Sequence, residues 1–216
     1  MPELAQTLAV WALPVLFAIT LHEVAHGWAA RALGDSTAAM MGRLSLNPLR
    51  HIDPVGTVLV PLIFVLMPGN FVFGWAKPVP VSWRNLRQPR RDMALVAAAG
   101  PLSNLAQALA WGVVLKIALM QGAGEGLWLG IRMMAIAGIT VNLVLMALNL
   151  LPLPPLDGGR VLGGLLPPVW SAKLDRVEPY GMPIIVVLLV SGLLAPLLRP
   201  LMAAGQALIA ALLGFR

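Results

Sequence analysis

Two histidines flank a glutamate in the run His22-Glu23-Val24-Ala25-His26. Residues four apart share one face of an α-helix, so both imidazoles can reach a single metal ion. Glu23 would stand beside that ion, where a carboxylate can accept a proton from water. A buried, hydrogen-bonded histidine pair is the alternative interpretation. Three ionisable groups within five residues of an apolar helix are costly in a membrane and normally mark function, which favours the metal site.

A third metal ligand must come from elsewhere in the chain. Catalytic zinc usually takes three protein ligands and leaves one position for water. Residue 32 is alanine, which excludes the extended pattern HExxHxxGxxH, and no glutamate occurs between Glu23 and Glu125. The open candidates are His51, the five aspartates and the other glutamates. Asp157 stands out because it follows an apolar stretch in the run NLLPLPPLDGGR, although Asp-Gly-Gly is also strong turn chemistry.

The composition predicts a membrane protein rather than a soluble one. Of the 216 residues, 59% are hydrophobic and 11% are charged, whereas a soluble domain carries about 25% charged residues. Long uncharged runs lie at residues 4–21, 54–76, 93–115, 133–156, 179–198 and 200–215. A helix needs about 20 such residues to cross the hydrocarbon core. We therefore expect an all-α polytopic membrane protein with about five to six transmembrane helices.

Charge and cysteine content narrow the functional classes. The formal net charge is +6, but the basic residues lie in short loops between apolar runs, so they indicate topology rather than nucleic-acid binding. The absence of cysteine excludes disulfides and thiolate metal sites. No repeat or long polar linker divides the chain. We predict a single domain over residues 1–216, with a catalytic core at about 4–160 and additional helices at about 180–214.

A short re-entrant or β-like segment is predicted near the candidate site. Residues 42–47 alternate as in a short strand. The run FVFGWAKPVPV at 71–81 predicts extended chain, because each proline favours an extended residue before it. The apolar run at 55–68 is short and interrupted by proline and glycine, which is more typical of a re-entrant segment than of a span. Helices are expected at 4–33, 93–119, 133–151 and 181–198, with a shorter one at 201–214.

The distribution of basic residues supports a re-entrant 55–68, although 54–76 is long enough to cross. If this run returns to the face it left, 11 of the 15 basic residues share one face, which the positive-inside rule makes cytoplasmic: Arg31, Arg43, Arg50, Lys77, Arg84, Arg87, Arg90, Arg91, Arg160, Lys173 and Arg176. Lys116, Arg132 and Arg199 then lie opposite. On this topology His22, His26 and Asp157 reach similar depth near the cytoplasmic face, which favours Asp157 as the third ligand.

The motifs HEVAH (22–26) and NLLPLPPLDGGR (149–160) together resemble the site-2 protease family of intramembrane zinc metalloproteases. Three further runs, NPLRHIDPVGT (47–57), GWAKPVPV (74–81) and AGPLSN (99–104), are similar to its compact prokaryotic branch. Larger relatives carry a PDZ domain between core helices, whereas about a dozen residues, 121–132, join the corresponding segments here. The resemblance covers residues 20–160.

This resemblance implies one zinc ion on His22, His26 and Asp157, with Glu23 as general base and acid. It also implies that Asn149 helps to hold the substrate strand or the transition state. Asn104 and His51 are further candidates for the substrate site. Asn104 equally suits an interhelical hydrogen bond and His51 a loop turn, and Asn142 is interpreted as a packing residue.

The expected activity is intramembrane proteolysis. The resemblance implies that the substrates are transmembrane proteins, cut near the cytoplasmic face in regulated intramembrane proteolysis, and that the enzyme is a multi-pass protein of the prokaryotic cell (inner) membrane. Two alternatives remain: a metal or proton transporter, and a non-catalytic membrane-binding relative. A transporter has no special need for Glu23 between the histidines. A non-catalytic relative would tolerate the loss of a ligand, yet every expected ligand is present.

Overall fold

The regular structure of the chain is helical. In this computed structural model the described residues are 2–59, 77–122 and 126–215. Within those ranges no strand occurs. The helices are α1 (Pro2–Ala32), α2 (Thr37–Met40), α3 (Pro89–Met120), α4 (Gly126–Asn149), α5 (Asp157–Leu165), α6 (Pro168–Asp175), α7 (Glu178–Val190) and α8 (Leu194–Leu213), with short 3₁₀ or π turns at Pro48–His51, Pro54–Leu59 and Trp83–Asn85.

Four of these helices, α1, α3, α4 and α8, are long and apolar enough to cross a membrane. A fifth apolar helix, α7, has only 13 residues, fewer than the roughly 20 that a span needs. The all-α class is therefore confirmed. The described residues contain four candidate spans, and the expected total of about five to six stays a prediction. Of the predicted re-entrant run, Pro54–Leu59 forms a π-helical turn, and 60–68 lie outside the described residues.

The predicted helix at 181–198 has the wrong ends. The helical structure is interrupted between α7 and α8, where Gly192 adopts a φ of +74°. This left-handed conformation ends helices and is open to glycine, which has no Cβ. Pro200, the boundary expected from the sequence, lies inside α8.

The course of α8 also corrects the placement of Arg199. Leu198 packs in one cluster with Ala147, near the end of α4, whereas Lys116 of α3 donates to the carbonyl of Leu213 over 2.6 Å. Helix α8 thus starts beside the end of α4 and finishes beside Lys116. Arg199 lies in the first half of α8, so it belongs to the end of the bundle that carries Asp157, not to the face of Lys116.

The predicted strand at 42–47 is wrong. Residues 43–47 have no regular structure, because side chains rather than a partner strand take up the local carbonyls. The guanidinium of Arg50 donates to the carbonyl of Gly42 over 2.9 Å, and His51 Nε2 donates to the carbonyl of Ser45 over 2.8 Å. Residues 77–82 are also irregular; Pro78 and Pro80 remove every second N–H that a ladder would need. Residues 71–76 lie outside the described ranges.

Helix α3 lies at the centre of the bundle and packs against α1, α4, α5 and α8. One buried cluster joins Ala108 of α3 to Leu143 and Met146 of α4 and to Ile209 of α8. Small residues bring the helices close, as is common where lipid replaces water. At Gly138, for example, a Cβ would collide with the ring of Trp111. The central position of α3 places it against both α1, which carries His22 and His26, and α5, which begins at Asp157.

Candidate active site

His22 and His26 lie one turn apart on α1 and meet Asp157, the first residue of α5. Their Nε2 atoms are 3.1 Å apart. Asp157 Oδ2 lies 3.2 Å from His22 Nε2 and 3.3 Å from His26 Nε2. The ligands of a tetrahedral ion with bonds of about 2.0–2.1 Å stand about 3.3–3.4 Å from one another. The three atoms therefore form a triangle of the size that one face of a zinc site requires.

The protonation pattern of the histidines suits a metal ion. His26 Nδ1 lies 2.8 Å from the carbonyl of Val96, which can only accept, so Nδ1 carries the proton. His22 Nδ1 lies 2.6 Å from Asn104 Oδ1. Both Nε2 lone pairs then face a carboxylate oxygen, Asp157 Oδ2, that is buried without a hydrogen-bond partner in the described part of the chain. Three converging acceptors repel one another unless a cation lies between them, so the donor set fits zinc.

The charge of Asp157 supports the same conclusion. Burial raises the pKa of this carboxyl. When no cation lies between the three groups, a proton on an imidazole Nε2 turns the repulsion into an attraction to Oδ2, which outweighs burial and lowers the pKa to about 2. The group is therefore ionised at neutral pH, as a metal ligand must be.

Proline and glycine bring Asp157 to the histidines. Helix α4 ends at Asn149, and prolines at 152, 154 and 155 prevent the chain from continuing as a helix before α5 begins. The chain then folds back tightly. A Cβ on Gly158 would collide with the carbonyls of Leu150 and Leu151, and one on Gly159 would collide with the backbone of Pro154. The glycines of the DGG motif thus permit the close turn that places Asp157.

Gly100 of α3 is a site residue that sequence reasoning missed. A Cβ at this position would collide with the rings of both His22 and His26. Glycine is therefore required for the two imidazoles to lie against α3. The sequence does contain a signal for it, a glycine next to Pro101 within an apolar run that belongs to the AGPLSN motif.

The carboxylate of Glu23 is held by a second residue that was missed, Val79. The Val79 N–H donates to Glu23 Oε2 over 2.8 Å, and Oε1 has no hydrogen-bond partner among the described residues. Val79 lies between two prolines, so it has the only N–H in residues 78–80. Both ends of this segment are tied down: Lys77 N donates to the carbonyl of His51, and Ser82 N donates to Asp35 Oδ2 over 2.6 Å.

The predicted site residues fall into three groups. A cavity of about 310 Å³ is lined by both metal-binding histidines and by Glu23, Asn149 and Asp157. Asn104 is fully buried behind His22. His51 is buried in the loop after α2, where it bonds to Ser45 and braces the chain. The site cavity adjoins a larger one of about 700 Å³, and the two share five residues as walls: Pro78, Val79, Val81, Met93 and Arg160.

Comparison with known proteins identifies the family. The model of Peptidase family M50 matches residues 114–192. The protein "Putative zinc metalloprotease YwhC" of Bacillus subtilis is 41% identical, over 95% of this chain and 88% of its own length. The chain belongs to peptidase family M50. Its resemblance to the site-2 protease family is thereby confirmed.

Further M50 relatives are more distant. The Rip2 proteins of Mycolicibacterium smegmatis and Mycobacterium tuberculosis (strain H37Rv) are 31% and 32% identical over 82% and 80% of this chain. The chain spans 64% and 63% of their lengths. No solved structure matched the chain.

Proposed function

We propose that this M50 protein is an intramembrane zinc metalloendopeptidase that cleaves transmembrane segments of other membrane proteins near the cytoplasmic face. The observation that carries the proposal is the meeting of His22, His26 and Asp157 beside Glu23, on helices packed among candidate membrane spans. The names of the Bacillus and Mycolicibacterium relatives specify zinc metalloproteases. Regulated intramembrane proteolysis in a prokaryotic cell membrane is the process that this activity would serve.

One zinc ion per chain would be held by His22, His26 and Asp157. When bound, zinc would act as a Lewis acid, which lowers the pKa of water and polarises a carbonyl. Glu23 supplies the proton transfers. With Oε2 held by the Val79 N–H, its Oε1 is left to accept a proton from the attacking water and to return it to the leaving amine.

The substrate must lose its helical structure locally before a peptide bond can be attacked, and its freed backbone groups need partners in a low-dielectric environment. Asn149 is placed to provide one. Its Nδ2 donates to the carbonyl of Leu145 over 3.0 Å, while its side chain lines the site cavity. That bond uses one of the two N–H groups of Nδ2, so the second N–H and the amide oxygen both remain for the substrate. The oxygen can accept a substrate N–H and the N–H can donate to a substrate carbonyl oxygen, which suits both holding of the substrate strand and stabilisation of the transition state.

The depth of the site supports cleavage near one face. His26 lies within two turns of the end of α1, whose last turn carries Arg31. Arg160 lies one turn beyond Asp157 on α5, and Arg90 and Arg91 open α3. This end of the bundle is the basic one, and the positive-inside rule assigns it to the cytoplasm.

The test compares purified wild type with Glu23→Gln in detergent, using a single-pass substrate and measuring bound zinc in both. We expect about one zinc per chain in each protein and cleavage in the wild type alone. Glu125→Gln, in the connection between α3 and α4, is the matched control and should cleave normally. Cleavage by Glu23→Gln would contradict the assigned base.

A second arm separates the protease from the transporter. Wild type and Glu23→Gln are placed in sealed vesicles and zinc uptake is measured. We expect no uptake by either protein. Uptake that survives Glu23→Gln, together with no cleavage by the wild type, would favour the transporter.

A further inference from the structure

A chain of buried side-chain hydrogen bonds runs from His22 into the core of the bundle. His22 Nδ1 contacts Asn104 Oδ1 of α3 over 2.6 Å. Asn104 Nδ2 contacts Asn142 Oδ1 of α4 over 2.9 Å. Both asparagines are fully buried. These hydrogen bonds therefore link three candidate membrane spans, α1, α3 and α4, through two asparagines that water does not reach.

Two backbone carbonyls set the direction of every bond in this chain. Asn142 Nδ2 donates to the carbonyl of Gly138 over 2.8 Å, and Asn104 Nδ2 donates to the carbonyl of Ala18 over 3.1 Å. A carbonyl can only accept, so each amide nitrogen must face its carbonyl and each amide oxygen must face the other way. The oxygen of Asn104 then faces His22, whose Nδ1 must be the donor.

We infer that Asn104 and Asn142 are positioning residues of the metal site, which hold His22 in its Nδ1-protonated form with the Nε2 lone pair aimed at the metal position. The inference rests on the proposed zinc site. Groups that accept the second N–H of a metal-binding imidazole fix its tautomer and its ring orientation, and their loss typically lowers metal affinity by about 10–100-fold.

The two histidines depend on different kinds of support. His26 is held by the backbone carbonyl of Val96, which no substitution removes. His22 is held by the side chain of Asn104, and that amide is oriented in turn by Asn142. The ligand set can therefore be weakened at His22 alone by changes on α3 and α4 that touch neither the metal position nor the substrate cavity.

Buried asparagines also join membrane helices without serving a site, and Asn104→Asp distinguishes the two roles. Aspartate keeps an acceptor for the His22 N–H, but it has no N–H for Ala18 or Asn142. If Asn104 positions His22, Asn104→Asp should bind zinc more tightly than Asn104→Leu. If Asn104 only joins helices, Asn104→Asp should bind zinc no better than Asn104→Leu, because its second oxygen would face two acceptors.

The experiment measures the zinc dissociation constant of full-length protein in detergent, by competition with a chromogenic chelator, alongside thermal unfolding. We expect Asn104→Leu to raise the constant about 10–100-fold, Asn142→Leu to raise it less, and Asn104→Asp to lie nearer to the wild type. Ser103→Ala and Thr140→Val are matched controls. Ser103→Ala removes a buried hydroxyl next to Asn104 that has no hydrogen-bond partner among the described residues. Thr140→Val removes a side-chain hydrogen bond to the carbonyl of Ile136. Both should bind zinc as the wild type does.

Three outcomes would overturn the inference: unchanged zinc binding in a folded Asn104→Leu, a zinc dissociation constant for Asn104→Asp that is no lower than that for Asn104→Leu, or equal losses of zinc affinity in the two controls. Should Asn104→Leu fail to fold, Asn142→Leu decides, and unchanged zinc binding there also counts against the inference. Failure of the proposed function would look different: the wild type itself would bind no zinc, or it would bind zinc and cleave no substrate.

Discussion

The backbone N–H of Val79 donates to Glu23 Oε2 over 2.8 Å and joins the proposed general base to a segment 56 residues further along the chain. Prolines on both sides of Val79 leave that N–H as the one donor of residues 78–80. Pro78, Val79 and Val81 also form a wall shared by the two cavities. The same short stretch of chain therefore orients the base and borders the space in which substrate would lie.

Val79→Pro tests this contact directly, because it removes the N–H and keeps an apolar side chain. A hydrogen bond to a charged group contributes about 1.5–3 kcal/mol. We expect kcat to fall by about tenfold to a hundredfold while bound zinc stays unchanged. Val79→Ala keeps the N–H and is the control. Similar kcat values for the two variants in a cleavage assay would show that the contact does not orient Glu23.

The proposed metal-binding residues could be named from the sequence because their signals need little knowledge of the fold. The spacing of His22 and His26 requires only a helix, and Asp157 follows from counting charges on two faces. The helix bounds were less predictable. Gly192, with a positive φ, lies in the turn after α7. Pro200, which lies between the helices predicted at 181–198 and 201–214, is instead inside α8.

The supporting contacts could not be predicted, because each joins residues far apart in the chain. Val79 meets Glu23 across 56 positions, and Asn104 meets His22 across 82. Gly100 is needed only because two imidazoles lie against it. The expected strand at 42–47 failed for a related reason. Alternation predicts a strand only where a partner strand exists, and the side chains of Arg50 and His51 bind the carbonyls of Gly42 and Ser45 instead.

Gly100→Ala should damage the metal site through a single added methyl group. The new Cβ would overlap both imidazole rings, so we expect weaker zinc binding and loss of cleavage. Gly130→Ala is the matched control, because a Cβ there meets no atom within 4 Å. In a helix interior that change should stabilise the protein by about 0.5–1 kcal/mol. Zinc titration and thermal unfolding of both variants measure the effects, and normal zinc binding by Gly100→Ala would contradict the close approach.

Asp35 should make stability depend on pH at the end of α1. Burial raises the pKa of this carboxyl, but hydrogen bonds from Thr37, Asn85 and the backbone N–H of Ser82 outweigh it and lower the pKa below 3.8. Its ionised form is therefore favoured by folding. This stabilisation is fully present above the unfolded pKa near 3.8, and it is lost as the pH falls through the lower folded value.

Asp35→Asn removes that titration and also the anchor of residue 82. We expect Asp35→Asn to unfold at a lower temperature than the wild type at pH 6, with the difference shrinking below about pH 4. Thermal unfolding in detergent from pH 2 to pH 6 measures it. A difference that stays constant across this range would assign the effect to lost packing rather than to the carboxylate.

The end of α7 gives the sharpest test of topology. A helix over 181–198 would carry residue 191 into the membrane, whereas the observed turn between α7 and α8 lies beside Ala147, at the end of the bundle that holds the site. The natural chain has no cysteine, so single cysteines report position without background. We expect Ser191→Cys to react with a membrane-impermeant maleimide from the same side as Arg87→Cys. Gln121→Cys, after α3, should react from the other side. Reaction of Ser191→Cys from the side of Gln121→Cys would mean that α7 crosses the membrane, and it would return Arg199 to the face of Lys116.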